Sequence, residues 1–141
     1  MDAAECTRLS AYLGALLGAS SLTVKSKSSD EGDVLIGGKR VASLLRDEDE
    51  GELSYSISLA VARAPGAKKT AAIDGAERVR LQNVLRETLS APNLAVRERP
   101  RKVDSAEVYV GDEFIGTVSA DEDEGQVLTI SVLDIDLEDE G

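Results

Sequence analysis

The chain has 141 residues, with 27 Asp and Glu against 16 Lys and Arg and a formal net charge of −11. That balance excludes the cation-dominated surfaces that nucleic acid and anionic membranes require. The absence of histidine removes the commonest general base and metal ligand.

The start, Met1-Asp2-Ala3-Ala4-Glu5, has neither the basic region nor the apolar core of a signal peptide. No run approaches the ~18 apolar residues of a membrane span, so the cytoplasm is the expected location. The single cysteine, Cys6, excludes an internal disulfide framework and fits a reducing compartment. Asp2 and Glu5 stand at capping-box spacing, and Leu9, Tyr12, Leu13, Leu16 and Leu17 form one helical stripe, so a helix is expected over 3–17 with Gly18 as its stop. Ser21 to Lys27 alternates as a strand, and Ser28 to Gly32 reads as a turn. Val34-Leu35-Ile36 and Lys39 to Leu45 flank Gly37-Gly38, a glycine pair that signals a tight hairpin because both positions need positive φ. The acidic pentapeptide Asp47-Glu48-Asp49-Glu50-Gly51 is expected to form the next turn. Beyond it Leu53, Tyr55, Ile57, Leu59 and Val61 alternate with small residues, the clearest strand in the chain. The unit is a helix followed by a four-stranded antiparallel meander.

Residues 63–73, with Pro65 and Gly66, read as a linker. Asp74-Gly75-Ala76-Glu77 then repeats the capping box, and Leu81, Val84, Leu85, Thr88 and Leu89 repeat the stripe. Leu94 and Val96 reopen the sheet, and Gly111-Asp112 replaces the glycine pair. Near the end Leu128, Ile130 and Val132 alternate on one parity, and Leu133, Ile135 and Leu137 on the other. A β-bulge at Val132-Leu133 fits, as does a strand covered on both faces; the bulge is the favoured reading.

The acidic pentapeptide recurs as Asp121-Glu122-Asp123-Glu124-Gly125, and following the match outward resolves the chain into two copies of one unit. At an offset of 72 Asp2 meets Asp74, Glu5 meets Glu77, Leu9 meets Leu81 and Val24 meets Val96. Two inserted residues raise the offset to 74, where Val34 meets Val108, Gly37 meets Gly111 and Leu59 meets Leu133. The expected architecture is α+β: repeats at 1–62 and 74–141, each helix plus meander, joined by the 63–73 linker. Units this small gain by packing on each other, so the halves are expected to form a pseudo-twofold dimer within one chain.

Catalytic constellations are nearly absent, so no enzymatic activity and no cofactor are expected. The glycine pairs lie in hairpins rather than between strand and helix, which does not support a phosphate-cradling loop. Asp47, Asp49, Asp121 and Asp123 offer hard oxygen ligands suited to calcium or magnesium. Their glycine stands at the fifth place rather than the sixth and their flanks are strands, so a solvated turn is the stronger reading. The most unusual feature is Arg97-Glu98-Arg99-Pro100-Arg101-Lys102, a basic cluster in an acidic protein, where copy one has only Lys25 and Lys27. It reads as a patch for an anionic partner, or as a solvent-facing strand end balanced by the chain's own acidic segments.

Arg99-Pro100-Arg101-Lys102, the run from Asp104 to Gly116, the second acidic pentapeptide and Leu133 to Glu140 resemble a family of small uncharacterised alphaproteobacterial proteins, a domain of unknown function about one unit long. The resemblance covers residues 77–140, and copy one only through the repeat. It implies a bacterial cytoplasmic protein whose single-copy relatives self-associate, and it supplies no activity to carry over. Copy one has Ala60-Val61-Ala62 where copy two has Asp134-Ile135-Asp136, which assigns copy one a supporting role. The expected function is a non-catalytic interaction or assembly subunit that presents Arg97, Arg99, Arg101, Lys102, Asp134 and Asp136 to a protein partner. The alternatives are a small acidic chaperone of the secretion type, against which the closing strand counts, and a divalent-ion binder.

Overall fold

The computed structural model describes residues 1–63, 72–121 and 125–138. Most of the expected linker, Asp123 with its two neighbours and the tail beyond Glu138 lie outside the described residues.

Helix α1 (Ala3–Leu17) begins where its sequence says it should. Asp2 Oδ1 accepts from the Glu5 N–H at 2.8 Å and Glu5 Oε1 accepts from the Asp2 N–H at 3.1 Å, a reciprocal cap worth about 1 kcal/mol. Gly18 ends the helix at φ 73. Its buried stripe, Leu9, Leu13 and Leu17, packs against β1 (Leu22–Ser26). Strands β2 (Glu31–Ile36), β3 (Lys39–Asp49) and β4 (Glu52–Val61) complete the meander, with Gly37 and Gly38 at φ 61 and 82 in the hairpin. The second copy follows as α2 (Gly75–Thr88), β5 (Leu94–Glu98), β6 (Ser105–Val110), β7 (Glu113–Asp121) and β8 (Gly125–Leu133). A short α3 (Asp134–Glu138) ends the described chain.

The eight strands among the described residues form one antiparallel sheet in the order β1-β2-β3-β4-β8-β7-β6-β5, so the two meanders join through β4 and β8. One face carries the core: Val24, Val34, Ala42, Ile57, Ile130, Val118, Val108 and Val96 are all buried there beneath the helices. The other face stays open to solvent, as antiparallel sheets allow. Across it one row of cross-strand neighbours runs Lys25, Asp33, Ser43, Ser58, Thr129, Thr117, Glu107, Arg97. Its chemistry reads the same from either end, with a cation, a carboxylate and two hydroxyls on each side of the seam.

The register corrects the repeat at its last strand. Leu45 lies between Glu31 and Ser56, and Ser119 lies between Ser105 and Val127. The offset is therefore 74 on β3 and falls to 71 on β4, so Tyr55, Ile57, Leu59 and Val61 correspond to Gln126, Leu128, Ile130 and Val132, all buried. The expected match of Leu59 with Leu133 was out of phase by an odd number, which exchanges the two faces of a strand. Ser58 and Thr129, equivalent under the new offset, stand directly opposite each other.

Several local expectations are corrected. Asp47, Glu48 and Asp49 extend β3 opposite Ser54, Leu53 and Glu52. The first acidic turn shrinks to Glu50-Gly51, both at positive φ, the two-residue geometry that matches strand twist. The capping box of α2 is half formed: Asp74 accepts from the Glu77 N–H at 2.9 Å, but the Glu77 side chain turns to Arg80. The parity change at Val132-Leu133 is neither a bulge nor a doubly covered strand. It is where β8 gives way to α3, whose Leu137 is buried against a surface made by α1, β4 and β8. The described chain thus closes on a helix rather than a strand. Bulges do occur, at Val41 between β2 and β3 and at Ile115 between β6 and β7, the same place in each copy.

Candidate functional site

Strand β5 ends in Arg99-Pro100-Arg101-Lys102. The Lys102 N–H donates to the Arg99 carbonyl at 3.2 Å and Arg101 stands at φ 68. Proline second and positive φ third is the pattern of a type II turn, in which the third place favours glycine. An arginine held there costs about 1 kcal/mol, and the conformation projects its side chain from the tip of the turn. The chain entering α2 docks on this loop: the Ile73 N–H donates to the Val103 carbonyl at 2.8 Å, and Ile73 is buried.

A cavity of about 230 Å³ lies at this junction, lined by Arg78, Arg99, Arg101 and Lys102 together with Asp74 and Glu98. Arg78 Nη1 donates to the Ile73 carbonyl at 3.2 Å, and Arg99 Nη1 donates to Oγ of the buried Ser105 at 3.3 Å. Those bonds hold two guanidinium groups half-buried, while Arg101 and Lys102 are exposed. Among the described residues none of the four cations has a carboxylate within 4.0 Å. The Asp74 carboxylate already caps α2.

Of the residues expected to form a partner surface, Arg99, Arg101 and Lys102 converge here. Arg97 does not: it lies on the open face of the sheet, its guanidinium 4.3 Å from the centre of the Tyr109 ring. Tyr109 meets Phe114 edge to face at 5.6 Å. Asp134 and Asp136 are elsewhere, in α3, where Asp136 Oδ2 accepts from the Leu133 N–H at 3.0 Å. Glu98 is level with Leu128 through Ala106 and Val118, three strands and about 14 Å away. The far end of β8, where α3 begins with Asp134, lies a further ~17 Å along the strand. Sequence reasoning missed Arg78 and Ser105. Arg78 was legible as a first-turn residue of α2, but its meeting with the β5–β6 loop is tertiary.

Copy one has no such cavity chemistry. Cys6 and Lys27 stand at the places of Arg78 and Arg99, and the α-amino group of Met1 donates to the carbonyls of Ser28 and Ser29 at 2.8 and 3.2 Å. Copy one instead holds a buried charge cluster. Glu5 Oε2 accepts from the Tyr55 hydroxyl at 2.7 Å and from Arg46 Nε at 2.9 Å. Burial opposes the Glu5 charge, but the Tyr55 hydroxyl, the Asp2 N–H and Arg46 outweigh it and hold the carboxyl at about 2. Burial, then the Glu5 carboxylate, push the Tyr55 phenol up, while its bond to Glu5, ahead of the opposing burial, raises Arg46. All three groups keep one protonation state across the neutral range, which suits a structural clamp rather than proton transfer.

Asp47 and Asp49 are exposed on β3, and Asp121 ends β7 two strands beyond the seam; Asp123 lies outside the described residues. No group of three or more metal-ligating side chains that could hold an ion occurs among the described residues, and none of their helices is long and apolar enough to cross a membrane. A larger cavity of about 520 Å³ lies between β3, β4 and the second half of α2. Its apolar lining includes Ile36, Val41, Leu59 and Val84, its Arg40 is already paired with Asp33 at 2.9 Å, and its other charged residues, Lys39 and Glu87, are of opposite sign, so it lacks the excess of unpaired cations of the smaller site.

No curated protein and no solved structure matches the chain. One family model matches twice, over residues 5–64 and 77–136, each match spanning one helix and meander. The chain belongs to the family described as Protein of unknown function (DUF3126), carried here as a tandem duplication.

Proposed function

We propose that this protein is a non-catalytic interaction subunit in which two fused copies form an internal pseudo-twofold dimer. Copy one serves as the support and copy two presents a basic site to an anionic partner. The pseudo-dimer reading is supported by the palindromic strand order and by Ser58 facing its own equivalent, Thr129. The observation that carries the function is the gathering of Arg78, Arg99, Arg101 and Lys102 around one cavity without an ion-pair partner among the described residues. In a chain of net charge −11 such cations would gain from pairing internally, so leaving them unpaired points outward. Arg101 adds to this, because it keeps a charged side chain where the backbone favours glycine. The solitary thiol and acidic surface suit a cytoplasmic setting. The test is affinity purification from native cells with the full chain and with Arg99→Glu/Arg101→Glu, folding being checked by circular dichroism. A protein retained by the parent and lost by the variant is expected; the same set of captured proteins from both would count against the reading.

A further inference from the structure

Resting on the basic-site reading above, we propose that the cavity takes a phosphoryl dianion, either as a free phosphate or as the phosphate of an ester. Charge is the first reason. Four cations and two carboxylates, Asp74 and Glu98, line the cavity, leaving an excess of two positive charges, which matches a phosphoryl group above its second pKa of about 6. A single carboxylate would neutralise only half of that excess. Geometry is the second reason. Arg78 approaches from the first turn of α2, while Arg99, Arg101 and Lys102 come from the β5–β6 turn. Donors from separate elements suit three tetrahedral oxygens better than the two coplanar oxygens of a carboxylate, which one guanidinium fork satisfies. Size is the third: about 230 Å³ admits a phosphoryl group together with a few atoms of the molecule that carries it, at about 30 Å³ for each water-sized group. Preorganisation is the fourth, since Arg78 and Arg99 are already fixed by the Ile73 carbonyl and Ser105 Oγ.

The test is amide NMR titration of the full chain with inorganic phosphate, O-phosphoserine, sulfate and acetate. Saturable shifts at residues 75–78 and 99–105 are expected with phosphate, phosphoserine and sulfate, and at least tenfold weaker binding with acetate. Stronger binding of phosphoserine than of phosphate assigns the site to an ester, and the reverse order to the free ion. Between pH 8 and pH 5 phosphoserine affinity should fall about tenfold as the ester's dianion protonates. Sulfate affinity should hold over the same range, which controls for Asp74 and Glu98. Arg101→Gly, which relieves the turn and so folds at least as well, should weaken phosphate binding tenfold or more, while Lys39→Gln should not. Shifts that are absent, spread over the surface or equal for acetate would overturn the phosphoryl assignment. A partner lost on charge reversal without phosphate binding would leave only the interaction reading standing; phosphate binding without any such partner would leave only this one.

Discussion

Replacing Glu5 by Gln isolates one charge in the core of copy one. Gln keeps the shape: its single oxygen can accept from the Asp2 N–H while its amide N–H donates to the Tyr55 oxygen, so what is lost is the carboxylate's pairing with Arg46 at 2.9 Å. The Glu5 carboxyl is held at about 2 against 4.5 in an unfolded chain, which at about 1.4 kcal/mol per unit sets an upper limit of ~3.5 kcal/mol. The Glu5 side chain is 12% exposed and that of Arg46 is 22% exposed, so solvent screening reduces this to about 2 kcal/mol. The sign follows from linkage: a depressed carboxyl contributes its full stability above 4.5 and loses it as pH falls towards 2. Urea unfolding followed by circular dichroism should therefore find Glu5→Gln about 2 kcal/mol less stable at pH 7, with the gap more than halved at pH 3. Glu77→Gln at the equivalent site should cost under ~0.5 kcal/mol, because among the described residues Glu77 has only a neighbouring helical arginine, Arg80, as its ion-pair partner. Equal effects at the two sites, or a gap for Glu5→Gln that ignores pH, would refute the reasoning.

Gly116→Ala places a methyl 2.2 Å from the Thr129 carbonyl oxygen, a backbone atom that cannot yield; a loss of about 2–3 kcal/mol is expected in urea unfolding. Leu137→Ala should cost about 2–3 kcal/mol, since α3 buries that side chain to 1% exposure; a neutral result would return the segment to the solvent. Ser90 and Arg101 hold positive φ, 52 and 68, so glycine at either position should raise stability by about 0.5 kcal/mol while alanine should not, as thermal unfolding would record.

Much of the fold was legible because local chemistry and tertiary structure agree. The reciprocal cap at Asp2 and Glu5 and the stripe from Leu9 to Leu17 define α1, and the glycine pair at 37–38 defines its hairpin. Where they failed, a long-range term decided. The pentapeptides match in sequence, yet their hairpins differ in length, and only pairing with β3 and β7 sets the phase of β4 and β8. The bulges at Val41 and Ile115 leave no mark in composition. Equivalent ties also use different residues. Ser10 Oγ accepts from the Val24 N–H in one copy and Gln82 Oε1 from the Val96 N–H in the other, so identity matching passes over them. At the site, the charges of Arg99, Arg101 and Lys102 stood out in sequence, whereas Arg78 joined them only through the docking of α2 on the β5–β6 loop. Arg97 is separated from them because it stays within β5 on the open face of the sheet, whereas Arg99, Arg101 and Lys102 lie beyond the strand end at Glu98, in the turn.

The seam between the copies is the claim on which the internal dimer depends. Nuclear Overhauser contacts between the backbones of β4 and β8 in the isotopically labelled full chain test it directly. The account predicts antiparallel contacts in one register, with Ile57 opposite Ile130 and Ser58 opposite Thr129. Contacts in the frame that puts Leu59 in the place of Leu133, or none between these two strands, would contradict it.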